Sequence, residues 1–143
     1  MTSPIESAGV SVRAVAVKDE EEVLTSHFGT LSTLIECAVQ MQASRLCWRI
    51  KVSRMRWRYY EFSEDGLYMA PDVEDIPVQN DRVEFQGALS SHAFGIAASL
   101  MAFSHFAGVG GGCMELHAST LLVLAAKHTE TNLIRRALAG YLD

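Results

Sequence analysis

The stretch Trp57-Arg58-Tyr59-Tyr60-Glu61-Phe62-Ser63-Glu64-Asp65-Gly66-Leu67-Tyr68-Met69-Ala70-Pro71 decides how this chain is read. Its first six residues are aromatic-rich and strand-like, since rings pack well on a pleated surface. Asp65-Gly66 is a hairpin turn signal, because both central residues of the tightest turns reach positive φ. Leu67 to Ala70 then forms the return strand, which Pro71 stops. Alternation along the first strand sends Trp57 and Tyr59 to one face and leaves Arg56 and Arg58 solvated.

Downstream, Asp72 to Asp81 is polar, acidic and broken by Pro77, so it reads as a loop. Val83, Phe85 and the residues to Leu89 make a third strand. Ser90 or Ser91 caps a helix that reaches about Ala107. Its apolar residues run round most of the circumference, which marks the central core helix. The glycine-rich segment Gly108 to Gly112 links it to helices over Met114–His128 and Thr131–Leu142. Upstream, Asp19 to Glu22 suits the first turn of a short helix that Gly29 ends. Leu31, Leu34, Ile35, Ala38, Met41 and Leu46 put an apolar face on a second helix, about Thr30 to Cys47. Val10 to Val17 alternates as a strand or extended arm, and residues 1–9 read as a loose tail. The expected fold is α+β: a small three-stranded antiparallel sheet packed against several helices in a single domain, residues 1–143.

Composition narrows the class. At 143 residues, 49% hydrophobic and 20% charged, the chain is long enough for a real core without metals or disulfides. Cys37, Cys47 and Cys113 are odd in number and widely spaced, as free thiols of a reducing compartment are. No secretory pattern opens the chain, and the charge-free run between Glu84 and Glu115 is broken by histidines, serines and glycines. A cytoplasmic protein without a membrane span is expected.

Charge is segregated. Six of the twelve bases lie between Arg45 and Arg58, interleaved with Trp48, Trp57, Tyr59 and Tyr60. Cations beside stacking rings describe a single-strand nucleic-acid site, with Arg49, Lys51, Arg54, Arg56 and Arg58 as its surface. Glu61 to Glu84 holds eight acids against one base, Arg82. Duplex DNA carries one charge per about 1.7 Å, so imitating a turn takes about twenty charges. Seventeen acids opposed by twelve bases fall short of that, which excludes imitation of DNA by the whole molecule. A local acidic surface of Glu61, Glu64, Asp65, Asp72, Glu74 and Asp75 could still dock on a basic partner.

Catalytic and cofactor patterns are thin. The glycine run lacks the preceding strand and following Lys-Ser/Thr of a phosphate loop. Cys113 and His117 share a helical face with His105 nearby, which is short of a zinc set. Ser90, Ser91 and His92 are adjacent without a nucleophile elbow. No catalytic, metal or cofactor residue is assigned, and no enzyme is expected.

The hairpin also resembles the F/Y-Y-E-L-S and G-G-F-Y-M-A-P core of the KlcA/ArdB antirestriction family. Phe85-Gln86-Gly87-Ala88-Leu89-Ser90, Gly95-Ile96-Ala97-Ala98 and the upstream His27-Phe28-Gly29 are similar to further elements of that family, in the same order. Thr25-Ser26 stands where the family more often has a proline and a basic residue. The resemblance implies a mobile-element protein that relieves restriction of unmodified DNA by type I complexes, with that complex or an associated host factor as partner. It carries no active-site motif. A nucleic-acid-binding module is the alternative.

Overall fold

The computed structural model describes residues 5–7, 10–47, 51, 54–63, 66–108 and 112–142. Strands β1 (Ile5–Ser7), β2 (Val10–Ala14), β3 (Trp57–Phe62) and β4 (Gly66–Pro71) form one antiparallel sheet in that order, and β5 (Ile76–Asn80) pairs β6 (Phe85–Leu89) in a second. Helices α1 (Glu20–Phe28) and α2 (Ser32–Leu46) precede the β3–β4 hairpin. Helices α3 (Ser91–Gly108), α4 (Gly112–Lys127) and α5 (Thr131–Leu138) follow β6. The antiparallel α+β class expected from the sequence is the one observed.

The hairpin forms in the expected register, Trp57 opposite Pro71 through Phe62 opposite Gly66. Every residue of β4 is buried, because α3 lies across it. The backbone N–H of Met69 donates to Ser99 Oγ at 3.1 Å, and that hydroxyl lies 3.3 Å from the Met69 carbonyl oxygen. Ser99 thus occupies main-chain groups of β4 that β3 does not pair, so the helix protects an edge that would otherwise template association. Trp57 and Tyr59 are buried and Arg56 is exposed, as alternation requires.

Five expectations change, the last at the end of α5. The third strand joins β5 rather than the hairpin, so the sheet is not three-stranded. The predicted loop 72–81 contains that partner: Ile76, Val78 and Asn80 are buried in alternation, and Pro77 is tolerated because a two-stranded ribbon has only edges. Within the predicted tail, Ile5–Ser7 pairs with β2. The buried face of α2 is Ile35, Val39, Ala43 and Leu46, whereas Leu34 and Met41 are exposed; the former set keeps the more regular three- and four-residue spacing.

Helix α5 ends at Leu138, short of the predicted Leu142. Gly140 takes φ 87°, and Arg82 Nη1 donates to its carbonyl at 2.8 Å. Among the described residues no helix is long and apolar enough to cross a membrane.

Candidate functional site

Three titratable side chains meet where α1, β3 and α4 converge. His27 lies in the last turn of α1, just before Gly29, whose φ of 59° turns the chain away from the helix. Glu61 extends from β3 and His117 from α4. The His27 Nδ1 and His117 Nε2 atoms are 3.0 Å apart, and His27 Nε2 lies 3.0 Å from Glu61 Oε2. His117 Nδ1 lies 2.9 Å from the Cys113 carbonyl oxygen. Both imidazoles are enclosed: the His27 side chain is 8% exposed and His117 5%. The rings of Phe28 and Phe103 wall in His117, with centroids 4.9 Å and 6.2 Å away. Glu61 is the outer end of the chain. Its Oε1 accepts from Arg13 Nη2 at 3.3 Å, and it lines an open groove of about 610 Å³ with Arg13, Asp19, Glu22, Val23 and Ser26.

A second polar cluster surrounds the start of α3. The Ser91 N–H donates to Glu74 Oε2 at 3.3 Å and the Ser90 N–H to Glu130 Oε1 at 3.0 Å. Two carboxylates therefore serve the electropositive helix start, where free N–H groups and the dipole favour anions. The Ala93 N–H donates to Ser90 Oγ, and Ser91 Oγ donates to the Pro71 carbonyl. His92 Nδ1 lies 2.6 Å from the Tyr68 hydroxyl, and Tyr60 meets the His92 ring edge-on. Burial pushes the Tyr68 phenol well above its usual range and lowers His92, against partial opposition from Glu74. A protonated phenol beside a neutral imidazole gives the contact one sense: Tyr68 donates and His92 accepts.

The residues singled out from sequence fall into different places. Of the acidic set, Glu61 is half-buried and engaged inside, Glu74 caps α3, and Asp72 and Asp75 are exposed on the turn between β4 and β5. Of the basic set, Lys51, Arg54 and Arg56 are exposed. Arg58 is half-buried, with Nη2 3.5 Å from the Val15 carbonyl and Nε 3.8 Å from Glu20 Oε2. Burial raises the Glu20 carboxyl, and Arg58 only partly offsets it. Glu64, Asp65 and Arg49 lie outside the described residues. Ser90 and Ser91 are occupied at the helix start, His105 is exposed, and among the described residues no group of three or more His, Cys, Asp or Glu is arranged to hold a metal.

Sequence reasoning missed the His27–Glu61–His117 chain. His27 and Glu61 each sit inside an element that carried the family resemblance, which is the one signal that could have drawn them together. His117 lies ninety positions from His27, beyond any spacing rule.

Comparison with known proteins agrees with this architecture. Residues 51–139 match the model of a family described as antirestriction protein. An antirestriction protein KlcA of Escherichia coli is 33% identical over 136 residues, covering 90% of this chain and 94% of its own. A second KlcA of Escherichia coli is 32% identical over 88 residues, covering 57% and 60%. A solved structure from work on KlcA and ArdB is 30% identical, with a TM-score of 0.81 over 99% of this chain and 100% of its own. KlcA and ArdB are described there as having a novel fold and antirestriction activity against type I DNA restriction systems in vivo but not in vitro. The chain therefore belongs to the antirestriction protein family.

Proposed function

We propose that this protein relieves type I restriction–modification of incoming unmodified DNA inside the cell, without catalysing a reaction and without imitating DNA as a whole molecule. The observation that carries the reading is the likeness to KlcA and ArdB over the full length of both chains. The partner is the type I complex or a host factor associated with it in the cytoplasm. Activity of those relatives in vivo but not in vitro directs the test to living cells. The contacting surface is the acidic turn, with Asp72 and Asp75 exposed and Glu74 beside them. Glu64 and Asp65 at the hairpin belong to the same charge block in sequence.

Unmodified phage plated on a host that carries a type I system and expresses this protein tests the proposal. Plating efficiency rises by orders of magnitude in the restricting host only. Equal plating with and without abundant soluble protein refutes it. Nucleic-acid binding through Lys51, Arg54, Arg56 and Arg58 would then be the next reading to test.

A further inference from the structure

Helix α4 turns one face inward and the opposite face to solvent, and the solvent face is apolar. Met114, His117, Leu121, Leu124 and Ala125 are buried, whereas Leu116, Ser119, Val123 and Ala126 are exposed. The exposed set recurs at spacings of three, four and three residues, the repeat of a helix–helix seam. Leu116 is 51% exposed, Val123 55% and the neighbouring Leu122 54%. No Asp, Glu, Lys or Arg lies between Glu115 and Lys127, so about three turns of surface helix carry no charged side chain.

The two ends of this face complement each other. At the N-terminal end the exposed Leu116 stands beside Glu115. At the C-terminal end Leu122, Ala125 and Ala126 of α4 border an open groove of about 530 Å³, walled on its other side by Ile134, Leu138 and Leu142. Arg135 is the charged residue of that lining, and Lys127 follows on α4. Glu115, Lys127 and Arg135 are all exposed, and among the described residues none is in an ion pair. An apolar knob with an acid beside it and an apolar hole with bases beside it thus share one surface.

We infer that this face pairs with the same face of a second copy of the chain, α4 against α4, antiparallel about a two-fold axis level with Leu121. That register sets Leu116 opposite Ala126 and Ser119 opposite Val123 of the second copy, so each Leu116 enters the other's α4–α5 groove. Glu115 and Leu122 are two turns apart and lie on the groove flank of α4. A two-fold axis across an antiparallel pair keeps that flank of both copies on one side. Glu115 of one copy therefore meets Arg135 of the other beside the inserted leucine, and the two helix dipoles oppose each other. A parallel pair would instead set Glu115 against Glu115 and leave both grooves unfilled.

A seam of one helix pair, about 24 Å long at 1.5 Å per residue, is at the small end of specific interfaces. A dissociation constant of about 10–100 µM is expected. Asp72 and Asp75 lie neither on α4 nor in the groove, so pairing and the proposed restriction contact are separable.

Sedimentation equilibrium of the full chain from about 1 µM to about 1 mM tests the pair. Wild type should shift from the mass of one chain to that of two. Val123→Glu puts a charge into the seam at a position exposed in the single chain, so it should abolish the shift and leave the melting temperature of the dilute protein unchanged. Glu115→Arg breaks two symmetric contacts at once and should weaken pairing about tenfold. Adding Arg135→Glu restores opposite charges and should recover it. A wild type that stays monomeric throughout, pairing untouched by Val123→Glu, or a double variant as weak as Glu115→Arg overturns the antiparallel pair. A monomeric wild type whose relief of restriction is lost with Val123→Glu also overturns it, and assigns the face to a different protein.

Discussion

The main chain of α3 at Gly95 is seated on β4 at Ala70. A Cβ built on Gly95 would lie 2.5 Å from the Ala70 Cβ and 2.6 Å from its Cα, and it would also press on the Met69 carbonyl oxygen. This close approach brings Ser99, one turn further on, to the Met69 backbone. Gly95→Ala therefore has no room, since backbone on both sides must move. A destabilisation of about 1–3 kcal/mol, the usual range for overpacking, should appear as a lowered urea midpoint with an unchanged slope. A neutral result would show that α3 can slide on β4.

Asn80 is buried at the end of β5, 1% exposed, and its amide nitrogen lies 2.9, 3.0 and 2.9 Å from the carbonyl oxygens of Arg136, Ala137 and Ala139. Its side-chain oxygen accepts from the Arg82 N–H at 3.0 Å. One side chain thus occupies the orphan carbonyls at the end of α5 and shapes the β5–β6 turn. Asn80→Leu keeps the bulk but strands those carbonyls, at a cost of about 1–3 kcal/mol. Asn80→Asp should be worse, because a carboxylate would face three carbonyl oxygens. Thermal unfolding of the two variants ranks them, and equal melting temperatures would remove the cap argument.

Much of this was legible from local pattern. The β3–β4 hairpin follows from aromatic alternation and Asp65-Gly66, and α3 from its all-round apolar surface. The strand β5 was hidden because Pro77 and the surrounding acids mask a clean alternation of Ile76, Val78 and Asn80. The face of α2 was misjudged because Leu34 and Met41 are apolar yet exposed, and composition does not distinguish an exposed apolar residue from a core one. Glu74 looked like free surface charge, but its partner is a backbone N–H seventeen residues away. The histidine pair depends on the docking of α4 against α1, which no local pattern encodes.

The half-buried histidines His92 and His128, near the start of α3, set an acid limit on stability. Burial lowers both His92 and His128, with Glu74 and Glu130 opposing it only in part. The native state therefore binds fewer protons than the unfolded chain once free histidine begins to charge, near pH 6.5. Stability from these two rings is complete above that pH and declines as pH falls below it. Urea midpoints measured from pH 7 to pH 5 should fall, and His92→Asn should make the fall shallower. Tyr68→Phe, which strips the hydroxyl that His92 accepts from, should lower stability at neutral pH. A midpoint constant from pH 7 to pH 5 would contradict the assignment.

Asp72 and Asp75 are the acids of the proposed contact surface that the fold can spare. Glu61 is tied to His27 and Arg13, and Glu74 caps α3, so changes at either would mix stability with function. Asp75 sits at φ 53°, a conformation that asparagine tolerates better than most residues. Asp72→Asn with Asp75→Asn therefore removes two charges at little structural risk. Loss of a charged contact of about 1.4 kcal/mol corresponds to a tenfold weaker association, so relief of restriction should drop at least tenfold with melting temperature unchanged. The paired control is Arg54→Gln with Arg56→Gln, both exposed, which should leave relief intact. The reverse pattern, relief kept by the acidic variant and lost by the basic one, would move the working surface to the arginine run and with it favour a nucleic-acid partner.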